Sequence, residues 1–390
     1  MQRNVLAASL RGLRDLWIVL GITLLLFGLI EAAYNGQRAL RISWFGSDDQ
    51  REAEAPGHPY AGQAWYRDFL AAREGGREKY DPWRGYWAYE TRSAYLNVDP
   101  AGYRVTVQPA VSSSAPRRVY LLGASALWGY SSRDSMTIPS LVAAGLRASG
   151  MTDIEVVNLA QPGYTLGYEA ATLNRELVTR GAPALAVFFD GLNDIRTTHL
   201  NREPGHAFFE QRFGHLYERE SQRGFFTSFV TPGERSKVVA RLVLALGLDN
   251  TWEIPPRRDD ACPKLGRYYR DMSRTVEGVA KAWGFDVLFV QQPNHATTRK
   301  PLTPFERSIM GPKENVDYTR ECAEAIDTEM GAAHPANFIS MGNLFDDVKE
   351  TVYLDLFGHV TEEANRRIAG ILVREVAARL SKAPVTNDER

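Results

Sequence analysis

The chain has 390 residues, 44% hydrophobic and 24% charged, with 46 Lys and Arg against 47 Asp and Glu. That length and apolar content are enough for a large core in two or three units, and they exclude a disordered or fibrous chain. A formal net charge of -1, without long like-charge blocks, gives no electrostatic basis for a nucleic-acid partner.

Near the N-terminus, residues 16–30 read LWIVLGITLLLFGLI, with no charge and Thr23 as the polar side chain; the following EAAY carries the stretch to residue 34. At about 1.5 Å per residue it matches the thickness of a hydrocarbon core, and it is apolar all round rather than along one stripe. We read a transmembrane anchor over 16–34, preceded by a cytoplasmic tail over 1–15. Arg3, Arg11 and Arg14 precede it and Arg38 and Arg41 follow, a bias that puts the large domain on the periplasmic side of the inner membrane. In that compartment Cys262 and Cys322 either pair or stay as buried thiols; two cysteines define no framework.

Residues 35–115 form an extension without clear periodicity but rich in aromatics, among them Trp65, Tyr66, Trp83, Tyr86, Trp87 and Tyr103. Such side chains stack on sugar rings or, more commonly, fasten an irregular segment to a neighbouring domain. SSSAP at 112–116 reads as a short linker.

From residue 116 to 381 the pattern is regular. RVYLLGAS is a buried-strand run, followed by Thr137 and Pro139 as helix-start signals and then IPSLVAAGLRASG at helical spacing. Further strands are expected in IEVVNLAQPG, ALAVFFDGLND, FDVLFVQQPN and NFISMGN, with helices near 169–180, 274–284 and 317–331. This alternation predicts an α/β fold, a flavodoxin-like three-layer α/β/α sandwich on a five-stranded, mostly parallel sheet. Residues 197–275 exceed what a crossover needs and read as an insertion or lid containing the apolar SKVVARLVLALGL; residues 382–390 read as a disordered tail.

Ligands of such sheets bind outside the carboxyl ends of the strands. Ser125, Gly163 and the GLND of residues 191–194 all fall there, and YLDLFGHVTEEANRR places Asp355 and His359 in a loop before an amphipathic helix capped by Thr361. A serine hydroxyl needs a base, histidine serves at neutral pH, and a carboxylate fixes its tautomer; Ser125, His359 and Asp355 fit those roles. The oxyanion of acyl transfer needs donors, for which the N–H groups of Ser125 and Gly163 and the amide of Asn193 are suited. His199 and His295 also follow strands and are rival bases. The remaining histidines lack paired ligand spacing, so no metal and no cofactor are expected.

The blocks GASALWG, NLAQPGYTLG, GLND and DLFGHVTEEAN occur in the order of those of the SGNH (GDSL-type) hydrolase superfamily, and the chain resembles that family over about residues 118–381. The resemblance implies Ser125 as nucleophile and donor, Gly163 and Asn193 as oxyanion donors, His359 as base, and no metal. It differs in having Ala124 before the serine and Asp355 four residues before the histidine, where three is commoner. The elbow G-x-S-x-G of α/β-hydrolases does not fit, because Leu127 stands where its second glycine would be. The expected activity is hydrolysis of acyl esters, O-acetyl above all, on envelope or extracellular polysaccharide. The alternatives are an O-acyltransferase and a non-catalytic scaffold that meets polysaccharide-assembly proteins.

Overall fold

The computed structural model describes residues 2–45, 51, 54–76, 78–81, 83–206 and 260–382. SKVVARLVLALGL and the tail from 383 lie outside the described residues. The chain divides into two units, residues 1–52 with 211–253 and residues 53–210 with 254–390. In the first, helix α1 (Gln2–Phe45) runs uninterrupted for 44 residues. Its stretch Gly12–Gln37 has a mean hydropathy of 2.3 and is long and apolar enough to cross a membrane. The helix continues past both edges of the expected anchor, so the irregular extension does not begin at 35. Residues such as Ala39 and Leu40 favour helix, and Gly36 costs it only about 1 kcal/mol.

In the second unit, residues 54–104 are part of the packing rather than a separate extension. Helix α2 (Ala64–Glu74) sends Phe69 and Leu70 into the main core, and a hairpin of β1 (Glu78–Asp81) and β2 (Gly85–Ala88) buries Tyr86 and Trp87. Fastening is thus what most of these aromatics do. SSSAP does not run free as a linker, because Ser112 bonds Thr152 through both its N–H and its hydroxyl. A boundary at 116 divides what packing joins, since periodicity marks regular elements and is blind to irregular chain that is equally buried.

The sheet comprises β3 (Arg117–Gly123), β4 (Ile154–Asn158), β5 (Leu185–Asp190), β6 (Asp286–Gln291) and β7 (Phe338–Ser340) in the order β4-β3-β5-β6-β7, with every pair parallel. This is the flavodoxin-like order, whose reversal point lies between β3 and β5. Alternating side chains explain the two covering layers. Val119, Leu121, Val187 and Phe189 join one core with α4 (Ile138–Ala148) and α10 (Glu362–Lys382). The intervening Tyr120, Leu122, Ala186 and Phe188 are equally buried on the other side, where α5 (Leu166–Arg180) meets β3 and β5 and α7 (Ala261–Trp283) meets β6. α9 (Lys313–Ala333) packs in turn on α7.

Three local expectations change. The helix expected at 274–284 begins at Ala261, because Cys262, Leu265, Tyr269, Val276 and Ala280 form one buried stripe, so the end of the 197–275 insertion is core helix. The segment ALAVFFDGLND, expected as strand, leaves the sheet at Asp190, and Asn193 lies at the start of α6 (Leu192–Asn201). A short helix, α8 (Pro304–Ile309), closed by a Thr303–Glu306 capping box, was signalled by TPFE and went unread.

Cys262 and Cys322 form a disulfide that joins α7 to α9. Gly266 lies on the same contact, and a Cβ there would stand 2.7 Å from Ala325 O, so only glycine lets the helices approach this closely. The bridge closes a loop of sequence separation 60, for which loop entropy predicts about 4 kcal/mol of stabilisation. Cys322→Ser should therefore lower the unfolding free energy from denaturant titration by that order, and native protein should bind no thiol reagent before reduction.

Candidate active site

Ser125 owes its position to a change of backbone at the end of β3. Ala124 is extended, and the next residue starts the one-turn helix α3 (Ser125–Trp128). The N–H of a first helical residue has no intrahelical acceptor, so Ser125 presents hydroxyl and N–H together at the carboxyl edge of the sheet.

His359 Nε2 lies 2.7 Å from Ser125 Oγ, and His359 Nδ1 lies 2.5 Å from Asp355 Oδ2. The spacing of four follows from a tight loop: Tyr353 and Val360 form an antiparallel bridge, and Leu354 N donates to His359 O at 2.9 Å. Asp355 Oδ1 accepts from Phe357 N at 2.8 Å and from His359 N at 3.3 Å. Burial raises the Asp355 pKa, but the His359 charge and these donors outweigh it and hold the carboxyl below its ordinary value. The loop is anchored from behind by buried Glu306, which accepts from Val352 N and Tyr353 N and pairs with Lys300. One face of the His359 ring stacks on Tyr130 at 4.6 Å and 21°. Tyr130 lies 4.0 Å beneath the Arg73 guanidinium, which also donates to Tyr130 O.

Gly163 and Asn193 stand beyond the ends of β4 and β5, on either side of β3. The Gly163 loop is tied to the serine strand by Gln161 N donating to Gly123 O at 3.1 Å. Gly163 has φ 77°, a conformation that glycine adopts without steric cost. Asn193 Nδ2 donates to Tyr164 O at 2.9 Å, which uses one of its two amide hydrogens. The structure thus joins Ser125, His359 and Asp355 in one hydrogen-bonded chain and ties Asn193 to the loop of Gly163. The rival bases face elsewhere: His199 lies against Tyr318 at 4.6 Å, and His295 meets Tyr353 edge-on at 6.2 Å. Among the described residues, no cluster of His, Cys, Asp or Glu is placed to hold a metal.

Sequence reasoning missed a buried acidic group behind these donors. Asp190 accepts from Tyr269 Oη at 2.8 Å, and Asp194 accepts from Leu166 N at 3.3 Å, while the two oxygens of Glu169 have no donor. Burial first, then Asp190 and Asp194, push the Glu169 pKa well up; burial likewise raises Asp190 to about 6. Glu169 therefore keeps its proton. The signal was the acidic residue closing the apolar run FFDG and the Glu on the buried stripe of α5. A cavity of about 160 Å³ lies beside the triad, with Asn193, Leu356 and Phe357 in its wall.

No family model matches the chain, and no curated protein matches its sequence. Similar solved structures include the acetyl xylan esterase AlAXEase at 12% identity, covering 66% of this chain and 99% of that one, with TM-score 0.37. A lipase/acylhydrolase from Enterococcus faecalis is 17% identical, covering 67% and 96%, with TM-score 0.36. The psychrotrophic esterase EstA from Pseudoalteromonas sp. is 12% identical, covering 68% and 100%, also at 0.36. The chemistry assigned below rests on distances within this chain.

Asn193 is a candidate oxyanion donor; loss of one such donor costs about 10²- to 10³-fold in turnover, so Asn193→Ala should lower kcat by that order with an unchanged circular dichroism spectrum. Raised carboxyl pKa values contribute stability that is complete below the unfolded value and is lost as pH rises through the folded one. Thermal stability should thus fall as pH rises from the ordinary carboxylate range through about 6. Glu169→Gln should flatten that fall in calorimetry.

Proposed function

We propose that the chain is a membrane-anchored serine esterase that removes acyl groups, O-acetyl above all, from envelope or extracellular polysaccharide. The observation that carries this reading is the continuous Asp355–His359–Ser125 hydrogen-bond chain at 2.5 and 2.7 Å. As Ser125 Oγ attacks the ester carbonyl, its proton passes to His359 Nε2, and Asp355 stabilises the imidazolium and fixes its orientation. The carbonyl electron pair moves onto oxygen, where the N–H groups of Ser125 and Gly163 and the second amide hydrogen of Asn193 receive it. Collapse expels the sugar alkoxide, which takes the proton from His359 and leaves acyl-Ser125. Water then attacks with His359 as base again, and the carboxylic acid departs.

An intact triad argues against a silent scaffold. The placement in the inner membrane with the catalytic unit in the periplasm is supported by the hydropathy of Gly12–Gln37, by the arginines before it and by a disulfide of the kind that oxidising compartments sustain. In this reading, polysaccharide-assembly proteins are its neighbours in that compartment.

A fluorophosphonate probe should label wild-type protein at Ser125 and should fail to label Ser125→Ala and His359→Ala; label retained in Ser125→Ala overturns the assignment. With an aryl acetate, free acetic acid should be the main product even when sugar acceptors are added. Diversion of most of the acyl group into new sugar esters would establish the O-acyltransferase instead.

A further inference from the structure

The cavity beside the triad has a wall chemistry that seating an acetyl methyl does not require. Beside Asn193, whose amide hydrogens already have acceptors in the reading above, its polar lining is Arg196, His199, His295, Asn315, Tyr318 and Thr319, each able to donate a hydrogen bond at neutral pH. Among the described residues, that lining contains no aspartate or glutamate. Arg196 carries the permanent charge, and its guanidinium lies 4.3 Å over the ring of Phe357, between Asp355 and His359 in the chain. His295 is 9% exposed, and its Nδ1 has no hydrogen-bond partner among the described residues. Burial lowers the His295 pKa, which keeps the ring neutral and able to donate one N–H. The charge of Asp355 acts on both Arg196 and His295, and its own oxygens are held by His359 and two backbone N–H groups.

A small site that gathers donors and a guanidinium and excludes carboxylates is complementary to an anion with two acceptor oxygens. We propose that the cavity binds a sugar carboxylate next to the acylated hydroxyl, so that the substrate is an O-acylated polyuronate. This rests on the esterase reading and narrows it. The cavity shares Asn193 and Phe357 with the surroundings of Ser125 and His359, so a carboxylate held there would help orient the ester toward Ser125.

The test compares two forms of one probe on the full-length protein in detergent: an O-acetylated oligogalacturonide, and the same oligosaccharide with its carboxylates converted to carboxamides. Wild type should favour the acidic form in kcat/KM by about 10-fold or more, with a preference that shrinks as salt rises. Arg196→Gln should bring the ratio near one, and Arg196→Lys should keep much of it. A ratio taken within one variant does not depend on how much active protein survives. A wild-type ratio near one at low salt, or an unchanged ratio in Arg196→Gln, overturns the proposal. Ser125 labelling and aryl acetate turnover report on the esterase reading separately: if both persist while the ratio is near one, only the carboxylate site is wrong, and if both are absent the esterase reading itself fails.

Discussion

The 2.7 Å contact between His359 Nε2 and Ser125 Oγ joins groups 234 residues apart, and no local rule of chain geometry brings them together. Its geometry is set by a latch between the segment just after the serine and the start of α10. Arg133 holds the Glu362 carboxylate through its backbone N–H and its guanidinium, and Asn365 donates to Ser132 Oγ and Met136 O. Tyr60 adds a third strand of chain by accepting from Glu362 N. Charge-assisted bonds at a helix N-terminus are among the stronger polar contacts available, since the macrodipole favours the carboxylate that sits there. The base is therefore placed by a rigid helix docked on the sheet, and the loop between needs only to turn the ring.

Behind the donors, the protein buries carboxyl groups that no cation neutralises among the described contacts. Keeping a proton on Glu169 avoids adjacent buried charges and leaves Asp190 and Asp194 free to hold Tyr269 and the Leu166 N–H. The α6 turn that carries Asn193 is thus tied to the Gly163 loop by two neighbouring side chains. In front, the balance reverses toward donors and a guanidinium.

What the sequence disclosed follows from what its patterns encode. Alternation and strand-length apolar runs located the sheet to within a few residues, and capping residues such as Thr137 and Thr361 placed the helices that cover it. The candidate triad of Ser125, His359 and Asp355 was legible as a pattern because such chemistry requires particular residue types at strand ends, and the structure joins the three by hydrogen bonds. Arg73, Glu169 and Glu306 were not, because an isolated charged residue carries no sign of burial until its partner across the fold is known. The helical character of the Asn193 segment was hidden by turn-forming residues, since Asn and Asp serve equally at turns and in first helical turns. The disulfide was undecidable on spacing alone, since its geometry depends on how α7 and α9 pack.

The stack of Arg73, from the last turn of α2, on Tyr130 on His359 gives the chain before the sheet a part in the behaviour of the imidazole. An aromatic face covers one side of the ring, so water reaches His359 from fewer directions and the ring has less room to rotate away from Ser125 between turnovers. The guanidinium above keeps that cover seated without touching the histidine. A chain cut at residue 116 would keep the strands, the serine and the base, yet it would leave Tyr130 without the cation that pins it. The His359 ring would then be freer to turn away from Ser125.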